Sequence, residues 1–227
     1  MVSLKENIFD CIKAIAAGVT ISFGATVFLM QENRMFSSFL FCLGLFVVCT
    51  FGLNLFTGKA GFLADNPIKN MRLAVISWCG NFVGMGLSAL ALRWTRIGDT
   101  LSANAQQLVD IKNADNPWSL FVLGIYCGIL MYVAVAAFNR GKEKGGVNNL
   151  IGYVGIVLCV MMFIHCGFEH SIADMFYYMI SGNMTTAAGW GVLGMVTLGN
   201  TVGGMIARGL DKYVILKWEA HLASKKK

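Results

Sequence analysis

The sequence predicts an all-α membrane protein with six transmembrane helices, built as two inverted three-helix repeats whose second and fifth helices are broken. Three observations carry this. Apolar residues (AVILMFWYC) make up 56% of the 227 residues and charged residues only 13%, about half the quarter usual in soluble domains. Six long stretches carry no charge, and a Gly-Asn motif recurs at matching places in the two halves. With a mean hydropathy of +0.64, the chain is neither disordered nor a nucleic-acid-binding tail protein.

The charge-free stretches are Ala14–Gln31, Met35–Gly58, Leu73–Leu92, Asn116–Asn139, Gly145–Phe168 and Met175–Ala207. About 20 residues cross the hydrocarbon core, so each of the first five supplies one crossing. The last, at 33 residues, supplies a crossing preceded by a short apolar piece. Between the third and fourth crossings, Arg93–Asp115 has three basic and three acidic residues and reads as a loop. No stretch is long enough for a soluble core, so 1–227 is a single membrane domain. Repeat 1 covers about 10–95, repeat 2 about 116–210, and a basic tail 211–227. Lys5, Glu6, Asp10 and Lys13 precede the first apolar run without a small-residue cleavage site, which reads as a retained helix rather than a signal peptide.

Six crossings place both termini on one side. That side holds 14 of the 18 Lys and Arg residues, the tail Lys225–Lys227 among them; the other holds Arg34, Arg93, Arg96 and Lys112. The excess of basic residues marks the cytoplasmic side. The chain is therefore expected to be a multi-pass protein of the inner (plasma) membrane with both termini cytoplasmic, its tail able to meet lipid headgroups. Six of the seven cysteines lie inside apolar runs, with no CxxC or Cys/His ligand spacing. They read as small packing residues, and no metal or cofactor is expected.

The repeat is marked by Gly80-Asn81-Phe82-Val83-Gly84 and Gly199-Asn200-Thr201-Val202-Gly203, 119 residues apart. A single such motif is ordinary small-residue helix packing; a matched pair is a repeat. Three crossings per half is odd, so the second half inserts upside down, as in inverted-repeat transport proteins. Each half also has an interrupted crossing. Leu55–Lys59 breaks the first and Ala60–Ala64 resumes it; Gly167–Ser171 breaks the second and Ile172–Met179 resumes it. Irregular backbone at membrane depth must line a cavity or lie within protein, so paired breaks point to a permeation site.

His170 falls in the second break and Thr57 in the first. An intramembrane histidine is a functional candidate by default, able to donate a hydrogen bond or a proton. Glu169 and Ser171 are expected as structural support, with Glu169 serving amides freed by the break. A haem subunit is excluded, because His165 and His170 cannot approach one haem from opposite faces. An aquaporin-like channel for neutral solutes would need paired Asn-Pro-Ala motifs, and Asn66-Pro67-Ile68 occurs once. No nucleophile–base pair, phosphate loop or metal cluster can be assembled, so no enzyme is expected.

From Phe41 to Gly204 the chain resembles the formate/nitrite transporter family, pentameric channels for small monovalent anions with an aquaporin-like protomer. The most specific segment is Gly167-Phe168-Glu169-His170-Ser171-Ile172-Ala173-Asp174-Met175-Phe176, close to the family motif GFEHSxANM, with Asp174 where Asn is usual. Leu55-Phe56-Thr57 resembles the family's loop in the second helix. Leu123–Gly128 resembles a family LGIxCN segment, with Gly128 in place of its Asn. The resemblance implies a homopentamer in the lipid bilayer that moves formate or nitrite, with hydrosulfide as the alternative anion and protons as a further partner. It implies a solute path along Lys112, Thr57, His170, Asn81 and Asn200, with Lys112 an outer-vestibule lysine that attracts anions. It also implies constrictions at Phe41, Leu45, Leu55, Phe56 and Phe163, with Phe41/Leu45 on the cytoplasmic side of the Thr57/His170 station and Phe163 on the periplasmic side. The Gly128 departure is expected to remove a polar side chain near the pore.

Overall fold

The computed structural model describes residues 3–225, and all their regular secondary structure is helical. Lys226 and Lys227 of the basic tail lie outside the described residues. Helix α1 (Leu4–Met30) opens on a capping box, in which Ser3 Oγ accepts from the Glu6 amide and the Glu6 carboxylate accepts from the Ser3 amide. Helix α2 (Arg34–Phe51) is capped by Asn33 and stops at Gly52, which takes the left-handed conformation at φ 63°. The crossing resumes as α3 (Phe56–Ala60) and a 3₁₀ turn, Gly61–Ala64. Both prolines of the chain sit at the first turn of a helix, where no amide donor is lost. Each follows an asparagine cap: Asn66-Pro67 for α4 (Pro67–Arg93) and Asn116-Pro117 for α6 (Pro117–Lys144).

The first break thus falls over residues 52–55, earlier than the expected Leu55–Lys59. Gly52 provides the stop, and Thr57, Gly58 and Lys59 are already helical. The expected loop Arg93–Asp115 is also corrected, because most of it forms α5 (Gly98–Ala114). Leu101, Ala105, Val109 and Lys112 recur at helical spacing and make its buried face. The fifth crossing comprises α7 (Val147–His165), an irregular stretch over 166–170, and α8 (Ser171–Ile180). The sixth is α9 (Ala187–Leu210), extended by a π-helical turn (Asp211–Leu216) and α10 (Lys217–Ser224).

Among the described residues, six helices are long and apolar enough to cross a membrane: α1, α2, α4, α6, α7 and α9. Their outer surfaces carry exposed Phe23, Phe39, Phe46, Leu90, Leu158 and Leu198, a disposition that suits lipid and not water. Trp94 and Trp118, 84% and 70% exposed, lie at the ends of α4 and α6, where an aromatic belt would meet the headgroups.

Two helix pairs form the frame, α1 with α4 and α6 with α9. Lipid gives no hydrophobic drive between helices, so close backbone approach through small residues supplies the packing. Gly18 of α1 lies against Asn81 of α4, and Gly128 of α6 against Asn200 of α9. A Cβ on Gly128 would stand 2.8 Å from Asn200 Cα. Gly128 is therefore a helix-contact glycine with no room for Asn, which corrects its expected place beside the pore.

On the face where the termini lie, ionic contacts lock the breaks to the frame. Arg72 pairs with Asp10 at 2.6 Å, and Asn54 of the first break donates to Asp10. Asp65, after the 3₁₀ turn, receives Arg208 at 2.8 Å and Lys212 at 3.0 Å. The Arg208 bonds hold the Asp65 carboxyl below the usual carboxylate range.

Candidate functional site

The two breaks are held by the same device. Asn81 Nδ2 donates to the carbonyls of Ala14 (2.7 Å) and Asn54 (2.9 Å), while its Oδ1 accepts from the Phe56 amide (2.9 Å). Asn200 Nδ2 donates to the carbonyls of Gly124 (2.9 Å) and Glu169 (2.8 Å), while its Oδ1 accepts from the Ser171 amide (2.9 Å). Each asparagine closes the gap that its break opens in the main-chain ladder. Asn81 and Asn200, expected on the solute path, are fully buried with both donors engaged, so neither has an N–H left for a solute. By this register Asn54 matches Glu169, Leu55 matches His170 and Phe56 matches Ser171.

His170 is the N-cap of α8. Its Nδ1 accepts from the Ala173 amide at 3.1 Å, and its Nε2 stands 3.1 Å from Thr57 Oγ1. Because Nδ1 is an acceptor, the neutral ring carries its proton on Nε2 and donates it to Thr57. An imidazolium would have no acceptor left for the Ala173 amide. The Phe163 ring stacks on His170 at 5.5 Å, and Phe41 packs edge-on against Phe163 at 5.7 Å. Phe41 and Phe163 therefore touch and lie together on one side of the Thr57–His170 pair. This corrects their expected placement on opposite sides. The second crossing starts at Arg34, on the α5 face, so Phe41 is still near that face. Leu45, one turn further along α2, and Leu55 and Phe56 at the break are all buried.

Lys112, expected as an outer-vestibule lysine on the solute path, is 8% exposed and inserts from α5 between two carboxylates. It bonds Glu169 Oε2 and lies 3.0 Å from Asp174 Oδ1. Its charge is thus compensated inside the cluster rather than offered to solvent. The Glu169 carboxylate serves Lys112, not the freed amides as expected; those go to Asn200 and His170.

A cavity of about 170 Å³ opens toward the α5 face, lined by Phe163, His170, Lys112, Glu169, Asp174 and Arg34 among others. On the other side, a cavity of about 80 Å³ is lined by Leu55, Gly58, Lys59, Val135 and Asn139. Val135 and Asn139 also line a third cavity of about 260 Å³, next to Arg140 and Arg208 on the terminal face. Sequence reasoning counted Arg34 only as one of four basic residues on its side. Arg34 is exposed at the cavity mouth and makes no ion pair among the described residues.

A polytopic helical bundle with cavities opening beside its two broken crossings has the build of a membrane transport protein. The family model "Formate/nitrite transporter" matches residues 8–214, and the chain belongs to the formate/nitrite transporter family, whose members are transport channels. It is 28% identical over 220 residues to the formate channel FocA of Haemophilus influenzae, covering 82% of this chain and 75% of that one. It is 31% identical over 188 residues to the nitrite transporter NirC of Escherichia coli, covering 75% and 67% respectively. Among solved structures, a "Pentameric formate channel with formate bound" superposes with a TM-score of 0.75 at 24% identity, over 95% of this chain and 99% of that one. An "FNT family ion channel" superposes with a TM-score of 0.77, also at 24% identity, over 92% and 90%. The two superpositions share the fold.

Proposed function

We propose that the chain is a channel for small monovalent anions of weak acids, formate or nitrite first. It works as a homopentamer with one pore in each single-domain protomer and with both termini cytoplasmic. The observation that carries this reading is the pair of cavities on opposite sides, one lined by Leu55 of the first break and the other by His170 of the second, with the Thr57–His170 hydrogen bond joining the two broken crossings. The names of the relatives supply the solute class. Arg34 at the outer mouth raises the local anion concentration, a role that Lys112, already paired, does not fill. The Phe41/Phe163 contact excludes hydrated ions by an apolar constriction. Leu55 forms the apolar step on the far side, with Leu45 and Phe56 buried in the same apolar core. A bare anion loses several kcal/mol of effective solvation in such a pore, so the station must supply hydrogen bonds or the solute must cross as its neutral acid. His170 Nε2–H and the Thr57 hydroxyl provide the donors once the solute takes the place of their mutual bond.

The test is stopped-flow flux in proteoliposomes with formate, nitrite, hydrosulfide, chloride and glycerol in parallel. Formate or nitrite flux far above chloride and glycerol is expected. Glycerol flux without anion flux would move the protein to a neutral-solute class.

A further inference from the structure

We propose that Asp174 holds an exchangeable proton and passes it to the entering anion, so that each solute crosses with one proton. The inference rests on the transport reading above and adds the source of the proton. One ammonium, Lys112, lies between two carboxylates, Glu169 and Asp174. The three side chains are 10%, 11% and 2% exposed. With both acids ionised the cluster would carry one uncompensated negative charge, a state strongly disfavoured in a low-dielectric interior. One bound proton removes it.

The geometry selects Asp174 as the holder. Its Oδ1 faces Lys112 at 3.0 Å, while its buried Oδ2 has no hydrogen-bond partner among the described residues. A neutral carboxyl has this disposition, with the carbonyl oxygen accepting from the ammonium and the hydroxyl left for a ligand. Asp174 also lines the outer cavity together with His170 and Phe163, so the proton is held just before the apolar constriction. The Glu169 carboxylate, by contrast, is bonded to Lys112. Cys127 of α6 and Tyr177 and Tyr178 of α8 are the other titratable side chains near Asp174. Arg34 lines the same cavity, and Arg93 of α4 is bonded to the Ile180 carbonyl at the far end of α8. His170 does not compete as the donor, because its Nδ1 accepts an amide and its ring holds a single proton.

The step balances. The Oδ2–H bond of Asp174 breaks as an O–H bond forms on the anion, giving an Asp174 carboxylate and a neutral acid. The cavity holds one negative charge before and after, and the new carboxylate remains paired with Lys112. The neutral acid passes the Phe41/Phe163 constriction and ionises beyond it, and Asp174 regains a proton from solvent on the α5 face.

The experiment measures formate uptake and proton uptake together, in proteoliposomes with a trapped pH dye and the potential clamped. Wild type is expected to move one proton per formate, Asp174→Glu to keep that ratio, and Asp174→Asn to lower it by an order of magnitude or more. An Asn variant that assembles and keeps the wild-type ratio overturns the proposal. Infrared difference spectra of wild type are a second measurement that needs no neutral variant. They should show a protonated-carboxyl band at neutral pH that is lost on adding formate and shifted in Asp174→Glu. Formate flux without that band also overturns the proposal. If wild type moves none of the anions, the transport reading fails instead, whatever the band shows.

Discussion

The two breaks share one clamp and differ in what the clamp presents. Asn81 and Asn200 each bind a carbonyl on the partner helix, a carbonyl in the break and the first amide beyond it. At the residue between the clamped carbonyl and the clamped amide, the first half has Leu55 and the second has His170. Leu55 starts α3 with no side-chain cap, whereas His170 caps α8 and reaches Thr57. The symmetric part of the molecule is main chain, asparagine and glycine; the asymmetric part is chemistry. On the proposed reading, function is added to the frame by single side chains, and substitutions should separate the two layers.

The largest effect is expected from the frame. Asn81→Ala and Asn200→Ala each leave one buried carbonyl and one amide of the break without a partner, at roughly 1–3 kcal/mol per group, and strip a second bond from a carbonyl of the partner helix. Both variants should lose assembly to a similar degree, read by size-exclusion profile and thermal unfolding in detergent. Near-wild-type behaviour of one alone would show that only one break needs its clamp. A smaller loss is expected at the constriction. Phe41→Ala and Phe163→Ala should each cost about 3–5 kcal/mol and each admit chloride or lactate in flux assays. Because the two rings touch, the double variant should cost less than the sum of the singles. Strict additivity, or widening by only one of the two, would break the reading of a single shared constriction.

Much of this frame is legible in the sequence. The six spans follow from apolar length, and the paired Gly-Asn motifs locate the clamps, although what the asparagines bind does not follow from spacing. The second break is visible as Gly167–Ser171 because charge and glycine interrupt an apolar run. The first is less visible, since Gly52 and Asn54 interrupt Phe51–Phe56 without a charge. The helix α5 is hidden by six charged residues, three within it and three beside it, although Leu101, Ala105 and Val109 have its period. The depth of Phe41 was available from the direction of the second crossing. The Lys112–Glu169–Asp174 cluster was not, because it joins α5 to the second break and α8 across 57 and more residues, and no local pattern encodes that contact.

The central claim is that the difference between Leu55 and His170 carries the transport chemistry. The most direct measurement is formate or nitrite flux through His170→Leu, which makes the second break chemically like the first. The variant loses an N-cap worth about 0.5–2 kcal/mol, so it must first be shown to assemble like wild type. Flux in assembled His170→Leu should fall by at least an order of magnitude, while the thermal midpoint shifts only modestly. Wild-type flux through that variant would contradict the account and place the solute path away from the Thr57–His170 pair.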